Sequence, residues 1–311
     1  MNITRINKTA KPFIKWAGGK AQLLTEIDNE IPNFIKKNQF TYIEPFVGAG
    51  AVFFWIIQKY PNINKAIIND INSDLINTYR IIKENVDKLI LLLKIWEKEY
   101  HSLQNNIHEK KEYYYSKRKL FNKRQSDNIT QAALFIFLNR TCFNGLYRVN
   151  SKNEFNVPIG SYRKPMICDE ENLLAVSEVL QNVTILCGDF EKTLEYSENN
   201  TLFYLDPPYK PISDTSSFNS YTNKDFDDAE QIRLAKFCEK IDSLGYKWIL
   251  SNSDVKGKNP NDNFFDELYG KFIIKRVLAK RNINANPNKR GELTELLITN
   301  SAYEKIVSIA Q

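Results

Sequence analysis

The stretch Leu202-Phe203-Tyr204-Leu205-Asp206-Pro207-Pro208-Tyr209 has residue types and spacing suited to chemistry. An apolar and aromatic run ends in a carboxylate, two prolines and a tyrosine. Neither proline can donate a ladder hydrogen bond, so the run reads as a buried strand stopping at its C-terminal edge. In open α/β sheets that edge is where ligands bind. Asp206 would present an acceptor there, Pro207 a carbonyl fixed by its ring, and Tyr209 a flat aromatic face. Together they could grip a planar group bearing an amine, such as the edge and face of a nucleobase. The plainer alternative is a strand end with a stiff turn, in which Asp206 only caps local backbone.

Other segments carry related signals. Gly18-Gly19, ahead of a helical pattern from Ala21, exposes backbone N–H groups beside the Lys20 charge, and Trp16 could stack on a planar ring. A glycine turn with a core Trp accounts for the same residues. Residues 41–44 read as a strand, Gly48 and Gly50 as a tight turn, and the apolar run from Ala51 as a helix, the βα junction of a nucleotide-type site. Phe53 stands where a dinucleotide fingerprint wants glycine, so a cofactor without a pyrophosphate fits better. Residues 65–70 read as a second strand ending in Asp70, which could accept hydrogen bonds from ribose hydroxyls or belong to the cap of the helix near Asn72. The upstream glycine turn favours the ribose role. Residues 183–190 form another strand pattern, ending in Asp189 for the edge of an adenine and Phe190 for its face.

The elements that must position these residues alternate between strand and helix patterns. At 311 residues the chain suffices for one large domain, or one with an insertion, and 42% hydrophobic with 26% charged residues is ordinary for a soluble globular protein. No apolar run approaches a membrane span and no signal-like core follows Met1, so a cytoplasmic protein without membrane attachment is expected. Four scattered cysteines read as reduced packing residues, and two histidines in a polar stretch argue against a zinc or His-based acid–base site, so no metal is expected. The formal charge of +6 permits a polyanionic partner without demanding one.

Residues 72–139 read as helical and polar-faced. The basic, aromatic stretch 109–119 could touch a nucleic-acid backbone, but a solvated helix face is the favoured reading. Residues 147–149 and 154–157 look like a short hairpin, with Arg140, Arg148, Lys152, Arg163 and Lys164 interleaved with Phe143, Leu146 and Tyr147. A two-stranded ribbon fits the major groove and arginine there can read guanine, so this is the candidate DNA-reading element. Helices are expected near 170–180 and over 225–243, strands over 246–250, 272–279 and 295–299. The polar loop 210–223 suggests a lid, and the basic, Asn-rich loop 280–291 a surface or phosphate-contacting connection.

Taken together, Trp-Ala-Gly-Gly-Lys at 16–20, Glu-Pro-Phe-Val-Gly-Ala-Gly at 44–50, Asn-Arg-x-x-Phe-Asn-Gly-Leu-Tyr-Arg at 139–148, Phe-Asn-Val-Pro at 155–158 and Asp-Pro-Pro-Tyr at 206–209 resemble the Dam-type (D12 class, alpha-group) DNA adenine N6-methyltransferases. The matches follow the family's order and span nearly the whole chain. The resemblance implies an α/β fold: a Rossmann-like, S-adenosylmethionine-dependent methyltransferase sheet with a mostly helical target-recognition insertion and β-hairpin. It divides the chain into 1–80 and 169–311 as the two parts of the catalytic domain, with 81–168 as the DNA-binding insertion. It implies S-adenosylmethionine as cofactor, contacted by Trp16, Lys20, Phe46, Asp70, Asp189, Phe190 and Asp206, with Asp70 on the ribose. Arg148, Leu146 and Pro158 match positions that read the target bases, and Phe143 and Asn144 match residues that wedge into the stack beside a flipped adenine.

Asp206, Pro207 and Tyr209 are then the catalytic residues. An adenine amine is a poor nucleophile because its lone pair is delocalised into the ring. Acceptors at Asp206 and the Pro207 carbonyl would push that nitrogen toward sp³ geometry while Tyr209 stacks on the base. The implied substrate is double-stranded DNA, commonly at GATC, and the resemblance leaves open whether a cognate restriction endonuclease accompanies the enzyme. A methyltransferase acting on RNA or a protein glutamine amide, and a non-catalytic DNA-binding protein of the same fold, are the competing classes. The leading Asp206 and the hairpin argue against a protein substrate, and the intact motifs at 16–20 and 206–209 against loss of catalysis.

Overall fold

A computed structural model describes residues 9–16, 18–103, 106–209, 226–257, 259–280 and 292–300. The loops expected at 210–223 and, beyond Lys280, at 281–291 lie outside the described residues. Seven strands form one sheet: β1 (Phe40–Glu44), β2 (Ile63–Asp70), β3 (Val183–Cys187), β4 (Thr201–Leu205), β5 (Lys247–Ser253), β6 (Ile273–Lys280) and β7 (Glu292–Thr299). Their order is β3-β2-β1-β4-β5-β7-β6. The first five run parallel, while β7 lies antiparallel to both β5 and β6. The order reverses between β1 and β4, and in such sheets the crevice beyond the C-terminal strand ends at that switch point receives the ligand.

All five residues of β1 and of β4 are buried, as expected of central parallel strands covered on both faces. Alternating side chains feed two cores. Tyr42, Ile68, Leu202 and Tyr204 face one, with α3 (Ala51–Lys59), α4 (Ser73–Ser102), α6 (Asn128–Thr141) and α7 (Glu170–Leu180). Ile43, Ile67, Phe203, Leu205, Trp248 and Leu250 face the other, with α8 (Asp228–Ser243) and α9 (Phe264–Leu268). Two short helices, α1 (Leu24–Glu30) and α2 (Asn33–Lys37), precede β1. Among the described residues, no helix is long and apolar enough to cross a membrane.

The segment 72–139 is helical as expected, in three pieces: α4, α5 (Ile107–Lys123) and α6. Asn72 caps α4 by accepting the Leu75 N–H. Before a break at Asn85 (φ −141°), α4 lies along the sheet edge, where Arg80 and Lys83 donate to the Ile185 and Val183 carbonyls of β3. Beyond the break, Glu97 accepts the Ile167 N–H and the His101 ring bonds the Pro165 carbonyl. The stretch 109–119 is not simply a solvated face. Tyr113 packs edge-on against Phe137 of α6, Tyr114 is fully buried, and Lys110 donates to the Tyr162 and Arg163 carbonyls.

The expected hairpin is shorter than its pattern implied. Its pairing reduces to single bridges, Val149 with Phe155 and Cys142 with Ile159. The Asn150 side chain accepts the backbone N–H groups of Lys152 and Glu154, so local side-chain bonds rather than a long ladder close the turn.

Three side-chain amides hold the N-terminal segment against the body. Gln58, Asn172 and Asn139 each accept the N–H and donate to the C=O of one residue, respectively Ala10, Lys11 and Lys15. A fourth amide, buried Asn69, ties strand ends together by donating to the Pro45 and Gly188 carbonyls, which follow β1 and β3. Asn69→Ala strands the buried Pro45 carbonyl and also removes the bond to half-buried Gly188, and leaving a buried acceptor unpaired costs about 1–3 kcal/mol. Urea unfolding is expected to show a loss in that range at least, and an unchanged midpoint would contradict this bracing role.

Candidate active site

Asp206 leaves the end of β4 into the crevice, and its Oδ1 is held twice. It accepts from Lys20 Nζ at 3.0 Å and from Ser251 Oγ on β5 at 2.9 Å. Ser251 has one hydroxyl proton, spent on Asp206, so Tyr204 Oη must be the donor in the 3.0 Å contact behind it. Lys20 is 3% exposed. Its ammonium also donates to the Gly18 carbonyl at 2.8 Å and lies 4.4 Å from the centroid of the Tyr209 ring. Glu295 of β7 completes the cluster: its Oε2 accepts from Tyr209 Oη at 2.7 Å and stands 3.9 Å from Lys20 Nζ.

Burial raises the Asp206 carboxyl above its ordinary range, and the Lys20 ammonium and the Ser251 hydroxyl work against that shift. The Tyr209 phenol is pushed well up by burial and by the nearby Asp206 and Glu295 carboxylates, which keeps it a proton donor. The turn after Asp206 is braced from outside. Buried Gln231 donates to the Pro208 carbonyl at 3.2 Å and accepts from Asn252 on β5 at 3.1 Å. Pro207 is buried and its neighbour Pro208 exposed.

The glycine turn lies across the switch point. Gly48 and Gly50 have φ of +49° and +75°, and a Cβ on Gly50 would sit 2.7 Å from Tyr79 Oη, which itself donates to the Gly48 carbonyl. Asp70, at the end of β2, accepts the Gly48 N–H at 3.0 Å and the Asn72 N–H at 2.9 Å. It therefore joins the turn to the start of α4, while Asn72 is the cap proper. With the Ile71 N–H as a third backbone donor, about one of its four lone-pair sites is left for a hydroxyl. Burial raises its pKa, opposed by those backbone donors. Glu44 ends β1 nearby, 2% exposed, accepting from Tyr42 Oη at 2.5 Å. Burial above all, with Asp206 and Asp70 adding to it, pushes the Glu44 carboxyl well up toward its protonated form.

The remaining expected cofactor residues are differently placed. Phe46 and Phe190 are neighbours, ring centroids 5.2 Å apart. Phe190, however, is buried, and the Arg233 guanidinium covers its ring at 4.2 Å while gripping Asp189 through two bonds of 3.0 and 2.7 Å. That pairing holds the Asp189 carboxyl below its ordinary range. Asp189 is thus ion-paired but still half-exposed at the strand end, while Phe190 lies buried with the guanidinium over its ring. Trp16 stacks on Tyr147 at 5.6 Å and closes over Gly48, where a Cβ would meet its indole nitrogen at 3.0 Å.

The candidate DNA-reading residues share one loop system. Phe143 is 50% exposed and its N–H bonds the Pro158 carbonyl at 2.9 Å. Asn144, exposed at φ +54°, sits at the loop tip, with Leu146 half-buried behind it. Arg148 Nε donates to Asn156 Oδ1 at 2.7 Å. Two residues of the basic and aromatic set face inward instead: Tyr147 is buried and bonds Asp74, and Arg140 is turned back onto the Phe13 carbonyl. Both serve packing because the loop needs an anchor under it. Ser251, Glu295, Gln231 and Arg233 carried no signal in the sequence pattern. Each is an ordinary strand or helix residue that matters only through its spatial neighbours.

The model of the D12 class N6 adenine-specific DNA methyltransferases matches residues 16–283, which takes in Lys20, the glycine turn, Asp206, the helical segment and the loop system. The chain belongs to this family. It is 51% identical over 294 residues to the type II methyltransferase M.MjaIII of Methanocaldococcus jannaschii, covering 93% of this chain and 99% of that one. It is 40% identical to the DNA adenine methylase of Haemophilus influenzae, covering 92% of each, and 34% identical to that of Escherichia coli, covering 93% and 95%. The protein is an adenine-specific DNA methyltransferase that methylates N6, and its seven-stranded α/β sheet is that of the methyltransferase fold.

Lys20 opposes the burial that raises Asp206, so removing its charge lets the Asp206 pKa rise further. If turnover needs the carboxylate, activity falls as pH drops through that pKa. Lys20→Met is then expected to move the acid limb of kcat/KM to higher pH, measured at saturating cofactor. An acid limb that stays where it was would show that Lys20 does not tune Asp206.

Proposed function

We propose that the enzyme moves the methyl group of S-adenosylmethionine to N6 of an adenine extruded from duplex DNA, within GATC. The observation that carries this reading is the cluster at the end of β4. Asp206 has Oδ1 occupied by Lys20 and Ser251, and among the described residues Oδ2 has no protein donor. Oδ2 and the Pro207 carbonyl form the pair of acceptors that would take the two amine hydrogens of the base. Tyr209 supplies the stacking face, with its hydroxyl anchored away from that face on Glu295. A base has to leave the helix to reach such a recess, at a cost of a few kcal/mol of unstacking.

The donor set around the glycine turn fits the cofactor. Asp70 retains acceptor capacity for a ribose hydroxyl, Phe46 with Phe190 and Asp189 walls the purine end, and Trp16 and Lys20 border the other. When bound, S-adenosylmethionine supplies an electrophilic methyl group on a sulfonium. The chain's own residues orient the amine toward it, so that positioning provides most of the rate. The amine proton released on methylation passes to the Asp206 carboxylate and then to solvent, while the Pro207 carbonyl, too weak a base to take a proton, only accepts the other hydrogen bond.

Phe143 and Asn144, at an exposed loop tip, are the proposed wedge. Leu146, Arg148 and Pro158 are the proposed base readers, and the bond from Arg148 Nε to Asn156 leaves the terminal nitrogens to face a base edge. The division into 1–80, 81–168 and 169–311 is proposed with them. The break of α4 at Asn85 supports a hinge between sheet-packed and recognition-side halves close to the first boundary.

Labelled S-adenosylmethionine is to be offered with two duplexes differing only in GATC against GTTC. Label is expected in the first alone, recovered as N6-methyladenine. Label in neither, with turnover on bulk genomic DNA, would discard the proposed site and keep the chemistry. Label in both would remove GATC as the required site, since the GTTC duplex still carries adenines in its complementary GAAC strand.

A further inference from the structure

We propose that Glu295 is a positioning residue for the reaction: through its bond to the Tyr209 hydroxyl it fixes the ring on which the target adenine stacks. The inference rests on the reading of Tyr209 given above and extends it to a residue in β7, two strands away in the sheet. Tyr209 follows two prolines, which fix the path of the chain but do not by themselves hold its ring. Two other groups do. Lys20 Nζ lies over one part of the ring at 4.4 Å from its centroid, and Glu295 Oε2 holds the hydroxyl at 2.7 Å. The same Oε2 stands 3.9 Å from Lys20 Nζ, so cation, ring and carboxylate restrain one another.

The strand register explains why this residue can do so. Glu295 pairs with Ser253 at the C-terminal end of β5, which places it at the sheet edge beside Asp206 rather than under a core. Its side chain is 23% exposed, whereas Leu296, Leu297 and Ile298 after it are buried. A carboxylate at such a site is costly to keep among apolar neighbours. Its partners among the described residues, the Tyr209 hydroxyl and the Lys20 ammonium, both belong to the proposed grip. A stacking face that can rotate about its side-chain torsions loses the orientation that in-line transfer requires, and misplacement on the ångström scale costs rate steeply.

The test is a double-mutant cycle on the full chain with duplex DNA and S-adenosylmethionine. Tyr209→Phe keeps the ring and removes the donor, and Glu295→Ala removes the acceptor. Each is expected to lower kcat about tenfold with little change in the KM for DNA, and the double variant to lose about tenfold, not the hundredfold product. Glu295→Gln keeps an acceptor oxygen and is expected to retain most of the rate. In a second readout, 2-aminopurine replaces the target adenine. The wild type should quench the extruded base on Tyr209, and Tyr209→Phe and Glu295→Ala should share one altered emission level.

Multiplicative losses, or Glu295→Ala at the wild-type rate while Tyr209→Ala is inactive, overturn the role of Glu295 alone. Tyr209→Ala at the wild-type rate overturns the underlying reading of Tyr209 as well. Should Glu295→Ala fail to fold, the cycle is run with Glu295→Met, which fills the space without an acceptor oxygen for the Tyr209 hydroxyl. Tyr209→Phe is then expected to cost less in that background than in the wild type, and an equal cost overturns the proposal.

Discussion

An ammonium group 3% exposed to water can stay charged only where acceptors replace its hydration, and the way Lys20 meets that requirement organises the molecule. Its neighbours come from distant parts of the chain: the Gly18 carbonyl beside it, Asp206 from β4, Glu295 from β7 and the face of Tyr209. Buried ion pairs add little net stability, because desolvation offsets their attraction, but breaking one is expensive. What such a cluster provides is uniqueness of geometry. It sets Asp206 Oδ1 aside for protein contacts, with the Tyr204–Ser251 hydroxyl chain behind it, and leaves the other carboxylate oxygen without a donor among the described residues.

The requirement propagates outward. Lys20 reaches the cluster only if the preceding segment is fixed, and that is the work of Gln58, Asn172 and Asn139, whose amides pair with the backbone of Ala10, Lys11 and Lys15. Asn139 lies at the end of α6 and also donates to the Gly145 carbonyl, so one buried side chain ties the N-terminal segment to the loop bearing Phe143 and Arg148. Trp16 stacked on Tyr147 reinforces the same junction. The crevice and the loop system are therefore mechanically joined through residues 9–16. Any displacement of the loop on binding a duplex has a short covalent and hydrogen-bonded route to Lys20.

Much of this was legible in the sequence. The buried strand ahead of Asp206, the glycine turn after β1, the acid ending β2 and the long helical segment all follow from apolar runs and turn residues, which report local backbone preferences directly. Pattern was silent where a residue's surroundings come from remote strands. Glu295 reads as one polar position in β7, and only the antiparallel pairing with β5 brings it beside Tyr209. Pattern misled where amphipathic residues had two possible partners. Tyr147 and Arg140 sit in a basic, aromatic stretch suited to DNA, yet one packs under Trp16 and the other bonds the Phe13 carbonyl, because the loop must be anchored before it can present Phe143. Phe190 and Asp189 stand at a strand end as anticipated, while Arg233, unremarkable within α8, covers the ring and pairs with the acid.

In the proposed reaction Asp206 accepts one amine hydrogen of the base through its ionised carboxylate. Asp206→Asn keeps the shape and size of the side chain while replacing an ionised acceptor by an amide. Single-turnover methylation of a duplex by this variant, with cofactor and DNA binding measured in parallel, tests that role directly. The expected result is a rate lower by roughly a hundredfold or more, the scale for loss of one preorganised transition-state contact, with both binding steps retained. A rate within a few-fold of the wild type would contradict the account and leave Asp206 as a residue that merely holds Lys20 in place.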